Sequence, residues 1–202
     1  KIVDTDGNIL PQGEVGEVVT RSSNNMLGYW NLPDATKKTL TGDGWVYTGD
    51  AGYLDEDGYL YIMARTDDVI NVAGHRLSTG GMEEVLASHP DVAECAVIGV
   101  SDELKGQLPL GFLCLNDGCT RTAEQVVAEV IRLVREKIGP VAAFKLACVV
   151  DRLPKTRSGK ILRATMVSIA DGKAYKAPAT IDDPAVLDEV RLALQKLGYA
   201  QP

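Results

Sequence analysis

Long hydrophobic runs are missing from this 202-residue chain. No stretch approaches the ~20 consecutive apolar residues that a membrane-crossing helix needs, so no membrane partner is expected. Nor is there a charged-then-apolar leader of the secretory kind. The first residue is Lys1 rather than Met, which is read as a start further upstream and leaves room for a removed targeting peptide. Cysteine is sparse. Cys95, Cys114, Cys119 and Cys148 form no C-x-x-C pair and no metal-ligand spacing. Three of them lie inside apolar runs, where a reduced, buried thiol is the ordinary state. This points to a reducing compartment, the cytoplasm, or the mitochondrial matrix for a eukaryotic precursor. No internal repeat is evident.

What is present is an ordinary globular composition, 45% apolar and 24% charged, long enough for one or two cores. The net charge of −7 argues against general nucleic-acid binding, yet it is unevenly spread. Residues 132–163 hold nine basic side chains against two acids, +7, which leaves −14 for the remainder. A solvated helix face accounts for part of that run. A polyanionic small molecule accounts better for its concentration.

Residues 1–64 read as β-rich. Short strands are expected over Lys1–Asp4 and Gly16–Arg21, a helix opened by Pro33 through Leu40, and a hairpin about Asp55–Gly58. From Asp67 the pattern changes. Strands are expected over Val69–Val72, Val92–Val100, Leu108–Leu115 and Leu146–Val150, and helices from Ser78 or Thr79 to Ser88 and from Ile161 to Ala170. Thr122-Ala-Glu-Gln125 is a capping box that opens a further helix with Val126, Val130 and Val134 on one face. The βαββαβα order indicates a small α/β layer domain. A tail over 171–202 ends in an amphipathic helix opened by Asp183-Pro184, whose Leu187, Val190, Leu194 and Leu197 read as a packing stripe.

Leu153-Pro-Lys-Thr-Arg-Ser-Gly-Lys-Ile-Leu-Arg163 is the most informative segment. It is not a phosphate-binding P-loop: that motif needs glycine five residues before Gly159 and Ser or Thr after Lys160, where this chain has Pro154 and Ile161. It resembles the catalytic-lysine motif of the acyl-adenylate-forming enzymes, and of the AMP-forming short-chain acyl-CoA synthetases (acetyl- and propionyl-CoA synthetases) in particular. Gly16-Glu-Val-Val19 with Gly28-Tyr-Trp30, Trp45-Val-Tyr-Thr-Gly-Asp50 and Arg65-Thr-Asp-Asp-Val-Ile-Asn-Val-Ala-Gly-His-Arg-Leu77 resemble three further motifs of the same family in the same order.

The resemblance implies an α/β (α+β) fold: residues 1–66 as the β-rich end of a large nucleotide-binding domain, 67–170 as a small mobile lid, and 171–202 as its tail. It implies small-molecule substrates, namely ATP, coenzyme A and a short-chain carboxylate, with Mg2+ accompanying ATP. Lys160 would bridge carboxylate and α-phosphate, where a positive charge offsets the repulsion of two anions; the plainer reading is a surface lysine on a basic loop. Asp50 would accept hydrogen bonds from the ribose diol or, more plainly, cap a turn. Arg65 and Arg76 would contact the nucleotide or form surface ion pairs. Asp67 matches the hinge position. Ala73 and Gly74 would line the pantetheine tunnel or simply form a turn, and Arg135 would meet the coenzyme's phosphates or complement a helix dipole. His89 with the carbonyls of Ala87 and Val92 resembles a cation site, although a histidine at a helix end is more simply a dipole partner. His75 is given no catalytic role.

Nothing in the chain resembles the family's Ser/Thr/Gly-rich phosphate loop or its acyl pocket. The expectation is therefore the C-terminal portion of a ligase, inactive alone. The segment Ala179-Thr-Ile-Asp-Asp-Pro184 leans towards propionyl- over acetyl-CoA synthetases. Rival readings are an adenylation domain for another acyl or amino-acid substrate, and a non-catalytic lid-like binding module. The oligomeric state is not legible.

Overall fold

The computed structural model describes residues 1–201, except for the side chain of Asp67. It divides into two compact units, Lys1–Asp67 and Asp68–Pro202. The hinge expected at Asp67 therefore concerns a side chain outside the described residues. Among those described, no helix is long and apolar enough to cross a membrane.

The first unit is a four-stranded antiparallel sheet, β1 (Ile2–Val3), β2 (Gly16–Thr20), β3 (Val46–Leu54) and β4 (Leu60–Arg65), paired in chain order. Its small core holds Ile2, Val3, Val18, Val19 and Ala51. One helix, α1 (Pro33–Thr39), begins on the proline expected to open it. Along β4 the residues Leu60, Tyr61, Ile62 and Met63 are all exposed, so this strand has no buried face.

The second unit is built on β8 (Gly106–Leu115), which pairs along its length with β7 (Val92–Asp102) in a long hairpin. Two shorter strands share the other edge of β8. At Gly106 it meets β5 (Val69–Val72), and over Leu110–Leu113 it runs parallel to β9 (Leu146–Val149). An edge strand, β6 (His75–Ser78), completes the sheet antiparallel to β5. Period-2 alternation sends successive β8 side chains to opposite faces. Leu108, Leu110, Phe112 and Cys114 pack with α4 (Arg163–Ala170) and α5 (Val186–Lys196). Leu113 packs on the other face with α2 (Thr79–Ala87) and α3 (Ala123–Lys137). The unit is thus helix, sheet and helix in three layers.

Local chemistry sets the element ends. The α3 capping box is complete: Thr122 Oγ1 accepts from Gln125 N at 3.3 Å and Gln125 Oε1 accepts from Thr122 N at 2.9 Å. Val126, Val130 and Val134 are fully buried beneath this helix, each contributing about 1.5–3 kcal/mol. Ser78 caps α2 through Gly81 N. Two departures from expectation matter for the site. Strand β6 occupies His75–Ser78, which carried no strand signal, and α4 starts at Arg163 because Ile161 instead pairs with Lys155. The stripe of α5 is core, with Leu187, Val190 and Leu194 buried.

Candidate nucleotide and acyl-transfer site

In the first unit the register of β3 and β4 sets Asp50 opposite Arg65. Arg65 Nη1 donates to Thr48 O at 2.9 Å and to Asp50 Oδ1 at 3.2 Å. The two side chains are 53% and 36% exposed, so the pair is worth little to stability and its value lies in aiming the carboxylate. Gly49 makes the corner possible. Its φ is +72°, and a Cβ there would stand 2.5 Å from Arg65 Nη2. The turn is held by Gly49 N to Glu17 Oε1 (3.1 Å), Thr48 Oγ1 to Val18 O (2.8 Å) and Asp50 N to Thr48 Oγ1 (3.1 Å). Asp50 Oδ2 meets no partner among the described residues, which leaves an acceptor available to a diol.

In the second unit Lys160 ends an exposed loop between two paired residues, Lys155 and Ile161. The loop closes on itself: Thr156 N donates to Lys160 O (2.8 Å), Gly159 N to Thr156 O (2.8 Å), and Lys160 N to Thr156 Oγ1 (3.1 Å). Each flank is then tied down by an ion pair. Lys155 Nζ contacts Glu94 Oε1 on β7. Arg163 grips Glu83 of α2, with Nη2 at 2.9 and 2.8 Å from its two oxygens and Nε at 3.0 Å from Oε1. The cations on the two flanks, Lys155 and Arg163, are therefore paired with carboxylates, while the side chains of Lys160 and Arg157 on the loop itself have no ion-pair partner among the described residues. Beneath the loop lies a groove of about 480 Å3 lined by Glu83, Glu94, Cys95, Lys155 and Gly159 among others. Burial, with the nearby Glu83 charge, pushes the Cys95 thiol up to about 11, so it is no nucleophile at neutral pH.

Ala73 and Gly74 form the two-residue turn between β5 and β6, at φ +50° and +88°. Both central residues at positive φ is the pattern of a type I′ hairpin. Asn71 Oδ1 accepts from Gly74 N at 3.1 Å, and Ala73 N donates to Lys105 O at 2.8 Å. Lys105, at the tip of the β7–β8 hairpin, also lines a hollow of about 270 Å3 with Arg135, Lys145 and Phe144. This hollow has three cations and no acid among its lining residues, a setting for a phosphate-bearing ligand. Sequence reasoning singled out Arg135 but missed Lys105, and counted Lys145 only as part of a basic run. Arg76 is exposed on β6, opposite Asn71.

His89 is 7% exposed and engages both ring nitrogens: Nδ1 accepts from Asp91 N at 3.2 Å and Nε2 meets Glu129 Oε2 at 3.0 Å. That hydrogen bond from His89 holds the Glu129 carboxyl below its usual range. Arg121 joins the cluster through Glu129 and through Asp91, 2.9 Å from Nε. Asp91 Oδ2 nevertheless lacks a well-directed hydrogen bond; the approach is close but poorly aligned. Among the described residues no group of three or more His, Cys, Asp or Glu converges to hold a metal ion. Among the described residues no carboxylate cluster suited to Mg2+ is present, and both His89 ring nitrogens are taken up by protein partners.

Residues 81–160 match the AMP-binding enzyme C-terminal domain. The chain is 52% identical over 171 residues to the mitochondrial acyl-CoA synthetase short-chain family member 3 of Homo sapiens, covering 84% of this chain and 25% of that protein. It is 38% identical over 200 residues to the acetyl-coenzyme A synthetase of Pyrobaculum arsenaticum, covering 97% and 30%. Among solved structures, an anthranilate CoA ligase in complex with anthranoyl-AMP matches with a TM-score of 0.72 at 34% identity, over 83% of this chain and 32% of that one. The chain spans about a third or less of the length of these proteins. Matching short-chain acyl-CoA synthetases along most of its length, with their C-terminal domain at its centre, the chain belongs to the acyl-adenylate-forming family of AMP-binding enzymes.

Proposed function

We propose that this chain is the C-terminal portion of an ATP-dependent, AMP-forming ligase that activates a short-chain carboxylate and passes it to coenzyme A. The observation that carries the reading is Lys160: an exposed ammonium at the end of a closed loop whose two flanks, Lys155 and Arg163, are each held by a carboxylate. In the first half-reaction, a carboxylate oxygen attacks the α-phosphorus of ATP and pyrophosphate leaves. Lys160 stabilises the charge shared between the carboxylate and that phosphate. In the second, the coenzyme's sulfur attacks the acyl carbon, and AMP leaves with the bonding pair.

Asp50 accepts from the ribose hydroxyls, with Arg65 fixing its orientation and Arg76 serving the nucleotide. Ala73 and Gly74 border the coenzyme's thiol-bearing arm, and Arg135, with Lys105 and Lys145, receives its phosphates. Asp67 stands where the two units join in sequence, the place for a pivot between the half-reactions. Propionate is the favoured acid, on the Ala179–Pro184 segment. The cytoplasm or a mitochondrial matrix suits the four free thiols.

Lys160→Ala in a complete ligase carrying this segment tests the reading. Pyrophosphate release with ATP and propionate should fall roughly 10²–10³-fold, the scale of one preorganised electrostatic group. Conversion of supplied propionyl-adenylate to propionyl-CoA should persist. Equal loss in both half-reactions would contradict the assignment.

A further inference from the structure

We propose that the segment Pro178–Asp183 is a brace that sets the position of Lys160, and that its backbone amide at Asp182 is a positioning element for the adenylation step. The inference rests on the role given to Lys160 above.

The Lys160 loop springs from a hairpin with a single paired position, Lys155 opposite Ile161. A two-stranded hairpin is marginal in water even at several times that length. What it has is a third strand, and that strand comes from the tail. Thr156 pairs antiparallel with Ile181. Arg157 N donates to Thr180 O at 2.9 Å, and Asp182 N donates to Lys155 O at 2.9 Å. The stretch leading into the loop is therefore central, with Ile161 on one side and Ile181 on the other.

The brace is itself fixed at its centre and at its C-terminal end. Ile181 is 6% exposed, in the same core as Val186, Leu187 and Val190 of α5. Just beyond it, Arg152 Nη1 donates to Asp183 Oδ2 at 2.6 Å and Nη2 to Glu189 Oε1 at 2.6 Å. These groups are 40–46% exposed, so they add little to stability; their effect is to hold the brace in register. The family match stops at Lys160, whereas the support for Lys160 comes from the residues after it. A lysine whose ammonium must meet a phosphate needs its backbone held to a fraction of an ångström, and the four exposed residues Arg157–Lys160 hold no core contact of their own.

Two substitutions at one exposed side chain separate the amide from everything else. Asp182→Pro deletes the N–H that reaches Lys155 O, while Asp182→Ala keeps it. Proline favours an extended preceding residue, which suits Ile181 in its bridge. In the 202-residue chain, trypsin cleavage after Arg157 and Lys160 is timed against cleavage in α3 after Arg132 and Arg135. The proline variant should be cut about three- to tenfold faster than the alanine variant at the loop, the scale of one hydrogen bond, with α3 unchanged. Asp183→Asn with Glu189→Gln, which loosens the anchor while sparing the core, should give a smaller rise at the same two sites. Equal loop rates for Pro and Ala overturn the brace. If the proline variant opens everywhere, the anchor variant decides in its place, and the absence of a local rise there overturns the brace too.

In a complete ligase, Asp182→Pro should lower the kcat of adenylation several-fold against Asp182→Ala, leaving KM for ATP and the thioester half-reaction within twofold. A loosened loop with unchanged adenylation sinks the positioning role when Lys160→Ala still abolishes that step. If Lys160→Ala is also harmless, the failure lies with the proposed function instead.

Discussion

Arg163 and Glu83 lie 80 positions apart and meet in a two-pronged ion pair that joins the start of α4 to the middle of α2. Glu83 Oε1 also accepts from Val97 N at 2.8 Å, so one carboxylate ties a helix, a strand and the exit of the Lys160 loop. The side chains are only 25% and 16% exposed, which makes a missing partner costly. Glu83→Gln retains an oxygen for Val97 N and loses the charge; about 1 kcal/mol of unfolding free energy should go. Glu83→Ala strands both Val97 N–H and the guanidinium, and about 2–3 kcal/mol should go. Urea melts measure both. Equal losses would show that the Val97 hydrogen bond contributes nothing.

That pair also marks the limit of what the sequence discloses. Elements whose cause is local were legible. Thr122 and Gln125 announced α3, Pro33 announced α1, and Val69–Val72 is a strand over the span its apolar run suggested. The motif residues Lys160, Asp50 and Arg135 could be singled out from spacing and resemblance. Their supports could not. Glu83 reads as an ordinary helix-face acid, and its partner is fixed only by the packing of α4 over the sheet. Lys105 acquires company through the β7–β8 hairpin, which carries it to the end of α3. Strand β6 was missed because its turn uses Ala73 where asparagine would have signalled a type I′ hairpin, and because Leu77 is its one large apolar residue.

Gly49→Ala probes the corner that aims Asp50. Alanine must adopt φ near +72° and bring its Cβ into the Arg65 guanidinium. The backbone alone costs ~1–2 kcal/mol, and Arg65 can yield only by leaving Asp50 and Thr48. The expected result is a modest drop in thermal stability with a larger loss of nucleotide affinity, at least tenfold by calorimetry with AMP on a complete ligase. Unchanged affinity would mean that the Arg65–Asp50 geometry does not serve the nucleotide.

The four thiols should differ sharply in reactivity. Burial pushes Cys148 up to about 12 and Cys95 and Cys114 up to about 11. At pH 8 such groups hold on the order of a thousandth or less of their population as thiolate, the reactive form. Iodoacetamide at pH 8 should therefore mark the half-exposed Cys119 first, and peptide mapping by mass spectrometry gives the order. Labelling of Cys95 as fast as Cys119 would mean that the groove beneath the Lys160 loop is more open and more basic than its lining suggests.

Ala73 and Gly74 allow the sharpest separation of fold from function. Both sit at positive φ, and a Cβ added at Gly74 would meet nothing within 4 Å. Gly74→Ala and Gly74→Leu should thus carry the same backbone penalty, ~1–2 kcal/mol, and lower the melting temperature alike. They differ only in the space filled beside the turn. If the coenzyme's arm passes there, the leucine variant should lose thioester formation steeply. The alanine variant should keep most of it, and pyrophosphate release should stay within a few-fold for both. Ala73→Gly isolates the backbone strain: it relieves an alanine held at φ +50°, so stability should hold steady or rise by up to ~1 kcal/mol, and pyrophosphate release, which does not use the tunnel, should be unaltered. Parallel decline of both half-reactions in the alanine and leucine variants would falsify the tunnel role and leave Gly74 a turn residue alone.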